Sequence, residues 1–591
     1  MMSATSTPGA INPRGSSARL RQIAAPLAWG VAIIVFRVVY VSHYAAALPF
    51  WDQWGAEIER LFKPIAQHRF DWGVLIAPHN EHRILFTRLL SLALWRTNAR
   101  VFDNRVECYA NIVLVVAIYT TFVLLLRHRT NSGLAKKVVP ALLALVLCLP
   151  IDWENFLVGF QSEFYFASLT ALLVFGLLTR ERFTWRDWLP ACILAFASLF
   201  TMASGLFTAV IACALVIWRS LRQRSRRFPW VALPFVAVVF FGVAIQTHCP
   251  SCAAHSLWTP HAKVFRLALG WPALRPDGLL FLIPWLPFAV MLAAFRAQLQ
   301  ERPAAAFPLA LAAWSLLVVG SIAVARDALA TRYAVALVFG LLANVIWACE
   351  LVHAKTARWK TGIAVIFAVY VFAALVTRTG RDVRAMVDRH AFSRVQTLRT
   401  LLFERTHDDE VLQAPDRLQI PYHDPQQLAA WLVDPATLAL LPPPFNPHNA
   451  AAPLSRAAEG LQRILGYSSQ WRPTSLHSAT TAVTMDAGLS CRVDFINDRP
   501  ARKNIELAAS DPLILTGTAE APQSGRAQVQ LHGARSYAVD AVTGFDGHGY
   551  VVVSDNAPPP GDYSVLFVAN GARACDTGVR LTVQAQPLDK K

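Results

Sequence analysis

The chain has 591 residues, of which 55% are hydrophobic and only 16% charged, with a mean hydropathy of +0.38. Soluble domains carry about 25% charged residues, so this composition and its repeated apolar runs exclude an ordinary soluble enzyme and indicate an integral membrane protein. The formal charge of +17 does not indicate a nucleic-acid partner, because six short loops (1–22, 127–137, 180–188, 219–227, 296–302 and 353–360) hold 20 basic and 3 acidic residues, while 378–591 holds 21 basic and 22 acidic. A basic bias confined to short loops is the positive-inside signature.

In chain order, residues 1–22 form a basic cytoplasmic tail. The first apolar run, Ile23–Ala45, is longer than the core of a cleaved signal and predicts an uncleaved anchor. A large polar loop, 44–106, follows on the outer face. Placing the basic loops in the cytoplasm predicts about eleven spans: 23–43, 107–126, 138–151, 164–179, 189–202, 205–218, 230–246, 278–295, 304–324, 333–352 and 361–377. The stretch Leu189–Trp218 has basic loops at both ends, so it must go out and return, with "MASG" (Met202–Gly205) as the tight turn. The transmembrane domain, 23–377, then gives way to a mostly helical periplasmic connector, 378–474. In 475–591, segments such as "LILTGTA" and "YSVLFVANG" alternate apolar and polar residues between turn residues, the pattern of a periplasmic all-β sandwich. An outer compartment that oxidises thiols suits two disulfides, Cys249–Cys252 and Cys491–Cys575. Zinc held by the "HCPSCAAH" run is the weaker reading, given that compartment.

Two clusters in the first loop carry chemistry. "PFWDQW" places Asp52 between Trp51 and Trp54, just after the first span. "PHNEHR" places His79, Glu81, His82 and Arg83 together. As a helix this second cluster would set His79 and His82 on one face, and with Glu81 they could bind a divalent cation. The structural alternatives are a helix cap and aromatic belt at Asp52, and a surface polar cluster at His79–Arg83. Glu57, Glu59 and Asp71 read as a solvated face. Arg37 lies inside the first span, where charge is costly. Arg326, Arg332 and Tyr333 flank the last outer loop, where snorkelling is the structural alternative. Glu154 and Gln161 sit in the second outer loop, "DWENFLVGFQ".

A first helix, a large outer loop opening with an acidic residue, a His/Glu motif before the next apolar segment and many further helices resemble the GT-C superfamily of polytopic glycosyltransferases, in particular its mannosyltransferase-like branch. The "WDQW…HNEHR" pairing also resembles that of a broad set of bacterial membrane proteins. The chain departs from the branch in having Gln53 where an acidic pair is usual, and in lacking a Lys-Pro-Pro step. The resemblance implies an inverting transfer of sugar from a polyprenyl-phosphate donor to a cell-envelope glycan or lipid acceptor, at the outer face of a bacterial inner membrane. It implies Asp52 as general base, its pKa raised by the neighbouring tryptophans. Trp51, Trp54, His79, Glu81, His82, Arg83, Glu154 and Gln161 then bind substrate, and Arg37, Arg326, Arg332 and Tyr333 hold the lipid phosphate. The β domain is similar to the carbohydrate-binding modules of membrane arabinosyltransferases. The competing classes are a transporter or lipid flippase, which would place its ionisable residues at mid-membrane depth, and a non-catalytic envelope scaffold.

Overall fold

The computed structural model describes residues 13–222, 228–247, 262–292, 303–353 and, apart from short gaps, 358–585. Cys249 and Cys252 lie outside the described residues.

Among the described residues, seven helices are long and apolar enough to cross a membrane: Ala24–Tyr44, Asn104–Leu126, Gly159–Leu178, Gly205–Arg222, Pro303–Ala325, Thr331–His353 and Arg358–Leu401. The other four expected segments fall on shorter helices, Ala135–Cys148, Trp185–Ser198, Trp230–Gln246 and Leu280–Leu292. A 14-residue helix is only about 21 Å long. The helices used below are α1 (Pro13–Tyr44), α2 (Leu85–Thr97), α3 (Asn104–Leu126), α4 (Ala135–Cys148), α5 (Ser162–Leu178), α6 (Trp185–Ser198), α7 (Gly205–Arg222), α8 (Ala306–Ala325), α9 (Ala334–His353) and α10 (Arg358–Thr406).

The turn between α6 and α7 depends on Gly205. A Cβ there would stand 1.7 Å from the Ser198 carbonyl oxygen, so no larger residue fits without moving backbone. Ser198 Oγ donates to that glycine's carbonyl at 2.9 Å and locks the return. No break in secondary structure falls at 378. The last membrane helix does not end there but continues as α10 to Thr406, 49 residues in all.

That extension carries the connector back onto the first loop. Trp54, Phe62, Trp95, Phe403, Leu412, Leu428 and Leu441 share one core. Trp54 stacks on Trp431 at 6.1 Å, and Trp51 N–H donates to the Pro421 carbonyl at 2.8 Å. Lys63 pairs with both Glu59 (2.7 Å) and Asp434 (2.5 Å). The first loop and the connector are therefore one packed unit. Glu57 and Glu59, expected on a solvated face, instead point into it. Glu57 is fully buried and accepts from Ser91, while Glu59 accepts from Thr437 at 2.7 Å.

Among the described residues the C-terminal domain is a β-sheet of eleven strands: β1 (His477–Ser478), β2 (Thr484–Met485), β3 (Cys491–Ile496), β4 (Arg499–Pro500), β5 (Asn504–Ala508), β6 (Leu513–Ala519), β7 (Ala527–His532), β8 (Tyr537–Thr543), β9 (Gly549–Ser554), β10 (Gly561–Ala569) and β11 (Arg573–Gln584). The order is β2-β11-β10-β7-β8-β9-β6-β3-β4, with β1 on β8 and β5 on β11. Cys491 of β3 is bonded to Cys575 of β11, strands far apart in that order. The sheet therefore doubles back on itself around one core that includes Val529, Val552, Phe567 and Leu581. Strand β6 does not alternate, because Ile514 turns outward into the loop–connector core while Leu513 and Leu515 face the β core.

Candidate functional site

The chain enters the site through Trp51, which has φ 47°. A bulky residue in the left-handed region is rare and needs support. Its own N–H bond to Pro421 and the Phe50 N–H bond to Gln53 Oε1 (3.1 Å) supply it. The π-helix Gln53–Phe62 then begins. Asp52 is helical at its start and makes no side-chain cap bond, so capping does not explain it. Gln53 turns away from the site, where it donates to Glu107 Oε2 at 3.0 Å.

Asp52 lies on the wall of a cavity of about 410 Å³ with Phe50, Trp51, Trp153, Glu154, Phe160, Gln161, Arg332 and Arg389. Its side chain is about half exposed, 48%, toward that space. His79 Nε2 stands 3.5 Å from Asp52 Oδ1, with the imidazole edge-on to Phe160 at 5.2 Å. Burial pushes the Asp52 carboxyl up, but His79, Arg332 and His82 outweigh it and hold it below the usual carboxylate range. The upward shift expected from Trp51 and Trp54 is thus corrected. Trp54 is fully buried against Trp431 and forms no part of the cavity.

The "HNEH" segment is not helical. His79 and His82 face each other as an antiparallel bridge, with N–H···O bonds of 2.7 and 2.9 Å, and Asn80 takes the left-handed tip at φ 50°. Asn tolerates that conformation better than most residues. His82 Nδ1 accepts from Ala203 N–H at 3.3 Å, which docks the cluster on the α6–α7 turn. Burial, His79 and Arg332 pull the His82 pKa down to about 4, so its ring is neutral. Arg83 donates to the carbonyls of Ile76 (2.7 Å) and Ile245, and its role is to pin the loop. Buried Arg88 does the same for Val74 and Ala77.

The expected site residues divide into groups. Trp51, Asp52, Glu154, Gln161 and Arg332 share the large cavity. Glu81, His82, Arg326 and Tyr333 instead line a second, smaller cavity of about 100 Å³ between the helices, beside Trp314 and Met202. Arg326 is bound by Glu81 and by Tyr333 Oη (2.9 Å), so it faces a carboxylate rather than an open phosphate position. Arg37 also needs correction as a phosphate ligand. It is fully buried, with Asp152 Oδ1 at 2.6 Å, the Leu147 carbonyl at 2.7 Å and the Phe156 ring at 4.4 Å. Glu154 Oε2 accepts the Arg332 N–H at 2.9 Å, and Asn155 Nδ2 donates to the Arg332 carbonyl at 2.9 Å. The second loop therefore clamps the backbone of Arg332 and leaves its guanidinium to the cavity side.

Arg389 and Trp153 are cavity residues that were not singled out from the sequence. Arg389 comes from the extension of α10 and lies over the Phe50 ring at 3.7 Å, donating to Gln396 at 3.0 Å. Arg332 lies over Tyr333 at 5.6 Å. Among the described residues, neither arginine forms an ion pair. Trp153 Nε1 and Gln161 Oε1 are buried at the cavity and, among the described residues, have no hydrogen-bond partner. Such atoms are costly unless a ligand or water meets them. Among the described residues, no three His, Cys, Asp or Glu side chains converge as a metal site, and Glu81 is turned to Arg326. The residues present do not fit a divalent cation at His79–His82.

The fold and site define a multi-pass membrane protein with a polar, aromatic-walled cavity where its first loop meets the helix bundle. A scan against protein-family models found no match, and a search of curated proteins found none.

Proposed function

We propose that the protein is a GT-C-type glycosyltransferase that moves a sugar from a polyprenyl-phosphate donor to a cell-envelope glycan or lipid. The observation that carries this reading is the convergence in one cavity of a carboxylate, Asp52, two arginines that form no ion pair among the described residues, Arg332 and Arg389, and aromatic walls from Trp51 and Trp153. Sugars stack on aromatic faces, and arginine forks match phosphate oxygens. In this reading Asp52 stays ionised and takes the acceptor hydroxyl proton as that oxygen attacks the anomeric carbon. The bond to the lipid phosphate breaks, configuration inverts, and Arg332 and Arg389 hold the departing phosphate. His79 positions Asp52. We read all eleven helical segments as crossing a bacterial inner membrane, with the N-terminus cytoplasmic and the β domain in the periplasm. The basic loops support that orientation.

The test is turnover of purified chain with synthetic polyprenyl-phosphate sugars and an envelope-glycan acceptor, comparing the native protein with Asp52→Asn. Transfer by the native chain and its loss in the variant are expected. Equal turnover by both would remove Asp52 as the base.

A further inference from the structure

We propose that the opposite, basic end of the bundle holds a site for one anionic phospholipid, with its acyl chains between α1, α3 and α4 and its headgroup at Arg127, Lys136 and Lys137. The reading is independent of the glycosyltransferase site.

Two cavities meet there. One, of about 690 Å³, has an apolar wall that includes Trp29, Val123 and Pro140, and a rim of Arg127, Lys136 and Lys137. The other, of about 720 Å³, lies beside it and is polar, with Arg129, Arg180 and Arg182 against a single carboxylate, Glu181. Arg127 and Lys136 belong to both, so the boundary between apolar and polar space runs through two cations. That layout matches a molecule with hydrocarbon on one side and negative charge on the other. It does not match a free anion, which has no use for the apolar wall, or a neutral lipid, which has no use for the cations.

The surroundings agree. Trp29, which lines the apolar cavity, is itself 38% exposed, and α1 also exposes Leu27 and Val31, surface suited to the bilayer interior, so a lipid can reach the cavity from the side. Arg129 is engaged by the Gly176 carbonyl and Arg180 by Asp187 at 2.5 Å, which leaves Lys136 and Lys137 of the rim to meet the headgroup. Among the described residues, neither Lys136 nor Lys137 pairs with a carboxylate, and both are exposed. Basic pockets between membrane helices at the cytoplasmic side are a known physical solution for anionic headgroups.

Native mass spectrometry of the full chain in detergent tests this with palmitoyl-oleoyl phosphatidylglycerol and phosphatidylcholine as probes. The native chain should retain one phosphatidylglycerol with a preference over phosphatidylcholine on the order of thirtyfold, the effect of two lysines near a headgroup. K136Q/K137Q should bring that preference close to unity with thermal stability unchanged. Gly133→Trp, at a lining position where a Cβ meets open space, should lower retention of both lipids. Lys360→Gln, which removes a basic-end charge outside both cavities, should change nothing. Equal retention of the two lipids by the native chain would overturn the proposal, as would an equal loss of preference in Lys360→Gln.

Discussion

Arg37 and Asp152 meet at 2.6 Å inside the bundle, and His79 and Asp52 meet at 3.5 Å on the wall of a cavity. The first pair is fully enclosed, and only Arg37 Nη1 in it lacks a hydrogen-bond partner among the described residues. Asp152 also accepts from Tyr165 Oη at 2.9 Å, and Arg37 from its side donates to the Leu147 carbonyl at 2.7 Å. The second pair is open. Asp52 faces space, and among the described residues His79 Nε2 finds no closer partner and the Trp153 Nε1 and Gln161 Oε1 atoms that border the same cavity have none. A charge within a membrane helix is costly in isolation, which makes Arg37 a candidate beside Asp52 in the sequence. The structure keeps only Asp52 on a cavity wall. The buried pair ties α1 to the 149–152 turn, whereas the loose pair has unspent hydrogen-bonding capacity for a ligand.

The largest expected effect separates the two pairs by what is lost. Asp52→Asn should lower turnover by about 10²–10⁴-fold and leave the melting temperature nearly unchanged, since Asn keeps the size of the side chain and no cap bond is at stake. Turnover and thermal melting measured on the same preparation check this. Inactivity accompanied by an equally large fall in melting temperature would make Asp52 another strut.

Arg37→Ala and Asp152→Ala should each destabilise the fold by about 3–5 kcal/mol, because each leaves an uncompensated buried charge. The double variant Arg37→Met/Asp152→Leu should recover most of that loss. Denaturant unfolding in detergent, or yield of folded monomer, is the measurement. A double variant as unstable as the worse single one would show that the pair contributes beyond charge cancellation.

Much of the scaffold was legible from the chain alone. The apolar runs fall on helices, Gly205 marks the α6–α7 turn, and the strands and the Cys491–Cys575 pairing follow from alternation and compartment. The site was less legible for two reasons. First, the partners are remote. Glu57 and Trp54 look solvated or interfacial until residues 403–445 cover them, more than 340 positions later. Arg389 looked like one charge among many on a polar connector until α10 carried it over Phe50. Second, local geometry departed from the regular period. As a helix "HNEH" would have set both histidines on one face, but Asn80 at φ 50° closes a tight bridge. Asn between two histidines was the available signal, since it is the residue there that best tolerates the left-handed region.

Glu57 sharpens the comparison by pH. Burial and the neighbouring Glu107 carboxylate push its pKa well up. A carboxyl raised in the folded state stabilises fully below the ordinary carboxyl range and loses that contribution as pH rises through the folded value. The native melting temperature should therefore fall as pH rises toward the alkaline side, and Glu57→Gln should flatten that slope. Identical pH–melting curves for the two proteins would mean that Glu57 does not carry the dependence.

The smallest effect concerns His79, and it tests whether the loose pair is organised for chemistry. Burial alone raises the Asp52 carboxyl, and His79 is the first of the groups that bring it below the usual range. His79→Gln removes the imidazole beside Asp52 while keeping a polar side chain at the Phe160 edge. Burial is then less opposed, and the Asp52 pKa should rise. If Asp52 must be ionised to accept a proton, activity climbs with pH through that pKa. The acid limb of the pH–rate profile should thus move upward in His79→Gln, while turnover on the plateau falls only modestly, since Asp52 itself remains. A purely structural His79 would lower activity by the same factor at every pH, and a limb that stays in place would separate His79 from the base. In Asp52→Asn the same limb should be missing altogether, because the group that titrates is gone. A titrating limb that survives in Asp52→Asn would assign the base to another residue, and buried Glu163, whose Oε2 has no hydrogen-bond partner, would be the next to test.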